Sequence, residues 1–138
     1  MQSKIIISAS LVSAILLVIL HNMALELSWF YLYPYTNILL HIIGGFSVGL
    51  LVYIVLMKWM TVDDGVTRPP SRWWSLYIII FGTFLISIVW EVVELIFYLT
   101  NDAGLSSDTV QDILFGILGG LLAWLFIQIL PEDKGIDA

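Results

Sequence analysis

Four apolar runs dominate the chain, near Lys4 to Asn22, Thr36 to Lys58, Ser75 to Leu99 and Val110 to Leu130, each interrupted only by isolated polar residues. At about 1.5 Å per residue, each is long enough to cross or nearly cross a hydrocarbon core of roughly 30 Å. The pattern predicts an all-α polytopic membrane protein, with four transmembrane helices in an antiparallel bundle forming one domain over residues 1–138. The first run follows Lys4 and so invites comparison with a signal peptide. No small-x-small cleavage site follows it, and a retained helix is expected.

Composition sharpens this picture. Of the 138 residues, 60% are hydrophobic and 12% charged, against roughly half and a quarter in ordinary soluble domains. With no cysteine, the chain has no disulfide framework, thiol nucleophile or thiolate metal site. Acidic residues outnumber basic ones 11 to 5, and where they fall matters more than the net charge of -6. Lys4 precedes the first run, Lys58, Arg68 and Arg72 lie between the second and third, and Lys134 follows the fourth. Because basic residues mark cytoplasmic loops, both termini are expected inside, and the segments His21 to Tyr35 and Thr100 to Thr109 outside. Trp29, Tyr31, Tyr33 and Tyr35 then read as an outer aromatic belt, and Trp59, Trp73 and Trp74 as an inner one. In the inner loop Pro69-Pro70 breaks any helix, Asp63-Asp64-Gly65 reads as a turn, and Arg68 and Arg72 are placed to meet anionic lipid.

That topology brings the polar residues of the spans to one depth. His41 falls on the order of 8 Å below the outer end of the second helix, and Glu94 lies at a similar height near the end of the third. Glu91 is one turn deeper. Asp108 stands at the mouth of the fourth helix and Asp112 one turn down. The stripe Asp108, Asp112, Gly116, Gly120 and Ala123 combines acids with the small residues that let helix backbones approach. His41 stands above Gly44, Gly45 and Gly49 in the same way, and Glu91 stacks with Ser87 and Thr83. An acid at a helix centre costs about 2.5 to 3.5 kcal/mol on insertion scales, so these stripes are expected to face one another inside the bundle. All five basic residues are assigned to the opposite side. Protons, a bound cation or a cationic ligand must therefore balance up to four carboxylates set against one imidazole.

Simpler roles stand beside these. Asp108 opens "DTVQ" and suits an N-cap paired with Gln111 as well as it suits a ligand. Asp112 in a first turn complements the helix dipole. Glu91 and Glu94 would also tighten the bundle as a protonated pair, and His41 alone reads as a packing histidine.

Carboxylates with one imidazole suit Mg²⁺, Mn²⁺, Ca²⁺ or Zn²⁺ and do not suit copper(I). The chain has neither the E-x-x-H of di-iron bundles nor an H-E-x-x-H, a phosphate loop or a dinucleotide glycine motif. A serine triad drawn from Ser106 or Ser107 with Asp108 and His41 is discounted, since seryl caps are commoner. "GLSSDTVQD" is similar to half of the CDP-alcohol phosphotransferase signature, whose other half, D-x-x-D-G-x-x-A-R, is absent.

Taken together, "PYTNILLHIIGGF", "WEVVE" and "DTVQDILFGILGG" resemble the YjdF-like inner membrane proteins and, more distantly, the VanZ-like superfamily. The YjdF-like pattern falls on His41, on Trp90-Glu91 with Glu94, and on Asp108-Thr109 with Asp112. The VanZ-like pattern falls on Glu91, Asp112 and Gly119, with Gly116 where that pattern has asparagine. Thr36 and Asn37 stand where an acid would precede the histidine. The resemblance implies a helical bundle in the bacterial cell membrane, and it links VanZ-like members to glycopeptide tolerance at the cell envelope.

The leading expectation is an outward-opening site that binds a divalent cation and serves chemistry or recognition on a lipid or envelope precursor. As an enzyme it would use Glu91, Asp108 and Asp112 as metal ligands and His41 or Glu94 as the acid/base. Two alternatives stay open: an adaptor whose polar stripes bind a partner membrane protein or a second copy of the chain, and a proton- or cation-coupled transporter subunit. The expected partners are membrane lipids and such a protein, with no nucleic acid.

Overall fold

The computed structural model describes residues 2–33, 35–60, 71–97 and 107–131. They form α1 (Gln2–Glu26), a single-turn α2 (Trp29–Leu32), α3 (Tyr35–Met60), α4 (Arg72–Phe97) and α5 (Ser107–Ile129). α1, α3, α4 and α5 are each long and apolar enough to cross a membrane.

Helix boundaries differ from the apolar runs for local reasons. α1 continues past Asn22 because Met23, Ala24, Leu25 and Glu26 are good helix formers and Ala24 is fully buried. The chain then reverses at Ser28, which takes the left-handed backbone conformation (φ 54°) and leads into α2. Part of the expected outer loop is therefore helical. α4 starts three residues before Ser75, where Ser71 accepts a hydrogen bond from the Trp74 N–H (3.3 Å) and caps the helix just after Pro69-Pro70. α5 starts at Ser107, so the Asp108 backbone lies within the first turn instead of at the cap. Its side chain, like the turn at Asp63-Asp64-Gly65, Arg68 and Lys134, lies outside the described residues.

Residue pairings give the helix directions. Ser13 meets Ser47 and Leu17 meets Gly44, so α1 runs antiparallel to α3. His41 meets Glu91 and Glu94, whereas Gly49, two turns farther along α3, meets the earlier Ile79, so α4 also runs antiparallel to α3. α5 runs parallel to α3, because Asn37 meets Asp112, Gly45 meets Gly116, and Gly49 meets Gly120 and Ala123. The up-and-down order of the four long helices follows.

α3 and α5 are the central pair, and small residues make their contact possible. A β-carbon on Gly45 would overlap the Gly116 carbonyl, and one on Gly119 would overlap the backbone from Ile42 to Phe46. α4 closes on this pair with its own polar stripe: Thr83 faces Gly120 and Ser87 faces Gly116. Farther along, Leu50, Tyr53, Ile79, Trp124 and Ile127 form a buried apolar core that also takes in Ile6 of α1. Most other large apolar side chains, such as Leu11, Val55, Phe81 and Leu125, face outward, as expected of lipid-facing positions. Trp59, Trp73, Trp74, Tyr33 and Tyr35 are exposed, whereas Trp29 is half-buried. Arg72 stacks its guanidinium on the Trp124 ring at 5.2 Å, and the Trp124 N–H donates to the Arg72 carbonyl at 3.3 Å.

Between α1 and α3 the Ser47 hydroxyl donates to the Ser13 hydroxyl at 2.7 Å, with both residues buried. Hydrogen bonds between membrane helices contribute on average about 0.6 kcal/mol. Ser13→Ala is therefore expected to lower the unfolding free energy by about that amount, measured by denaturant titration in mixed micelles. A loss several times larger would mean that the pair alone holds α1.

Candidate functional site

The polar residues of the spans converge at the end of the bundle where α3 and α5 begin and α4 ends. Asp112, in the second turn of α5, is buried at 7% exposure. Asn37, in the first turn of α3, donates through its amide nitrogen to both Asp112 carboxylate oxygens, each at 2.9 Å. His41 lies one turn farther along the same face. Its Nε2 is 3.5 Å from Asp112 Oδ2, with both side chains 9% exposed. The carboxylate thus ties the first two turns of α3 to α5.

α4 supplies the other two acids. Glu94 accepts a hydrogen bond from the Trp90 indole N–H at 2.9 Å, one turn back on its own helix. Glu91 lies on the inner side of α4, beside Thr109 and Asp112 of α5. His41, Glu91 and Glu94 bring ligand atoms to within 4.8 Å of one another. Donors facing each other across a cation at roughly 2.0 to 2.6 Å span about 4 to 5 Å, so the group has the dimensions of an ion site. Glu91 Oε1 is buried without a hydrogen-bond partner, which is costly for a carboxylate unless a proton or a cation satisfies it.

The described basic side chains lie far from this group. Lys4 begins α1, Lys58 lies in the last turn of α3 and Arg72 begins α4, all at the other end of the helices. Three carboxylates and one imidazole remain together without a permanent cation among the described residues.

Four of the five residues singled out in the sequence, His41, Glu91, Glu94 and Asp112, meet here. Asp108 begins the same end of α5, its side chain outside the description. Asn37 was not singled out, although it takes the position where an acid would precede His41. An asparagine four residues from the histidine, on the same helical face, was the available signal. An amide suits the place because it donates to Asp112, where another carboxylate would repel it.

These features define a polytopic helical membrane protein with a half-buried carboxylate and histidine group near one end of its bundle. The chain belongs to the DUF2238 family of predicted membrane proteins, whose family model matches residues 1–133. No curated protein matches it, and no solved structure does.

Proposed function

We propose that His41, Glu91 and Glu94 bind one divalent cation, with Asp112 and Asn37 holding the imidazole and the α3–α5 junction in place. The carrying observation is the partnerless buried Glu91 oxygen inside a ligand group of ion-site dimensions. A carboxylate behind a histidine is the usual companion of a metal-ligating imidazole, fixing its orientation and raising its basicity. Two carboxylates with one imidazole favour Mg²⁺, Mn²⁺, Ca²⁺ or Zn²⁺. The ligand set expected from sequence is thereby regrouped. Glu94 and His41, first assigned to the acid/base role, become ligands with Glu91, and Asp112 moves behind the histidine.

By the distribution of basic residues the site faces the outside of the cell membrane. There the cation would polarise or bridge the phosphate of a lipid or envelope precursor. The YjdF-like motif pattern supports the grouping of these residues, since its histidine, W-E-x-x-E and D-T-x-x-D segments converge at one end of the bundle.

Purified protein is expected to carry one divalent ion in elemental analysis and to rebind it after chelation. Glu91→Gln should weaken binding by at least about tenfold, the lower end of what even the loss of a supporting residue costs. Binding should also weaken as pH falls, because carboxylates and imidazole bind metal only when deprotonated. A chain that binds no cation, or binds it equally well without Glu91, overturns the reading.

A further inference from the structure

The cation reading leaves unused a large hollow beside the site. α1 packs on α3, and α4 packs on α3 and α5, and between α1 and α4 a cavity of about 450 Å³ remains. Its walls include Ala14 and Leu17 of α1, Val48 and Leu51 of α3, and Ile86 and Trp90 of α4. Aromatic contacts roof one end, where the His21 ring meets Phe30 at 5.9 Å and Trp90 at 6.5 Å. Asn37, His41 and Glu94 also line the cavity, so it is continuous with the carboxylate and histidine group. From Asn37 to Leu51 it follows α3 for 14 residues, about 21 Å, which exceeds half of a hydrocarbon core of roughly 30 Å.

The deep part of the hollow offers water little. Of the four hydroxyls that line it, two are already committed, Ser47 to the Ser13 hydroxyl and Thr83 to the Ile79 carbonyl (2.7 Å), and the rest of its wall is mostly apolar. A trapped water needs two to four polar partners, and an apolar hollow without them stays dry. Among the described residues no side chain fills the space, and the helices around it are the spans themselves. Hydrocarbon is what a bilayer supplies there. Chain burial alone gives no selectivity, because lipid tails are as apolar as the walls. Selectivity must come from the polar end.

We infer that the hollow between α1 and α4 receives one hydrocarbon chain of a membrane lipid whose phosphate head lies at His41 and Glu94. The ligand class is an anionic amphiphile. The chain's place rests on the cavity, whereas the head's place rests on the cation reading, since a phosphate beside these carboxylates requires a bridging cation.

The test uses the full chain in phosphatidylethanolamine and phosphatidylglycerol vesicles containing Mg²⁺. A small share of the phosphatidylglycerol carries a diazirine at the end of one acyl chain. After irradiation, labelling of peptides holding Ala14, Val48 and Leu51 should exceed that of the exposed Leu121 and Leu125 on α5. Ala14→Trp and Val48→Trp, on two different helices of the wall, should each lower cavity labelling by about an order of magnitude while α5 labelling stays constant. Equal labelling of cavity and α5 in the parent protein overturns the inference, whether or not either variant folds. So does cavity labelling that persists in both folded variants. Elemental analysis of the same samples separates the two readings. A bound cation without cavity labelling removes the lipid alone, and cavity labelling without a bound cation removes the cation reading and the head's place but leaves the chain.

Discussion

Gly119→Val is expected to lower the unfolding free energy by about 3 kcal/mol, the upper end of the usual cost of overpacking, or to prevent folding. The reason is the identity of the obstructing atoms. A β-carbon at Gly119 would run into the Ile42 carbonyl and the Phe46 amide, and one at Gly45 into the Gly116 carbonyl. A flexible side chain yields to an added methyl by changing rotamer. Two helix backbones in contact yield only by separating, and separation of α3 from α5 would also part Asn37 and His41 from Asp112. Gly44→Ala is the matched control: its nearest neighbour is the Leu17 Cδ2 atom at 3.5 Å, an ordinary contact. There the better helix propensity of alanine should offset any strain, up to about 1 kcal/mol. Thermal unfolding of both variants in the same detergent checks this, and equal midpoints would contradict the close α3–α5 packing.

Asp112→Ala carries the second large effect, and it should show in two readouts. Removal of the carboxylate takes both acceptors from the Asn37 amide and the anionic neighbour from His41. Leaving buried polar groups unsatisfied costs about 1 to 3 kcal/mol each, so a total near 3 kcal/mol is expected in unfolding. Cation affinity should fall by roughly ten- to a hundredfold as the imidazole loses the group that orients it. Asp112→Asn separates the two losses. An amide oxygen still accepts from Asn37, so most of the stability returns, but the negative charge beside His41 does not, and cation affinity stays low. Calorimetric titration paired with unfolding measures both. Asp112→Asn binding the cation as tightly as the parent would leave Asp112 a packing role only.

Helix existence was legible because it depends on local chemistry. Long apolar runs such as Thr36 to Lys58 have no other stable form in hydrocarbon than a helix, which satisfies its own backbone. Boundaries were less legible. Met23 to Glu26 extend α1 past the point where apolar character ends, since helix propensity and the burial of Ala24 act there and hydropathy does not. The single turn of α2 was hidden inside an aromatic segment that also makes sense as a belt. Facing stripes were legible too. The alignment of Thr83 and Ser87 with Gly120 and Gly116 follows from helical periodicity and the cost of showing polar groups to lipid.

Pairing within the site was not legible. Periodicity placed His41, Glu91, Glu94 and Asp112 at one depth and one side, because each lies on a stripe whose direction local geometry dictates. It did not say that Asp112 would join Asn37 and His41 while Glu91 and Glu94 come within ligand distance of the same imidazole. That choice turns on fractions of an ångström in how α3 and α5 approach, which the glycines permit but which only the three-dimensional contact resolves. The hollow between α1 and α4 is of the same kind. A sequence records which residues each helix offers, whereas a space between helices belongs to none of them, and this one exists because α1 leans chiefly on α3 while α4 leans on α3 and α5. The chain by itself thus determined four spans and a shared level of buried charge. Tertiary packing decided which groups touch and what room is left beside them.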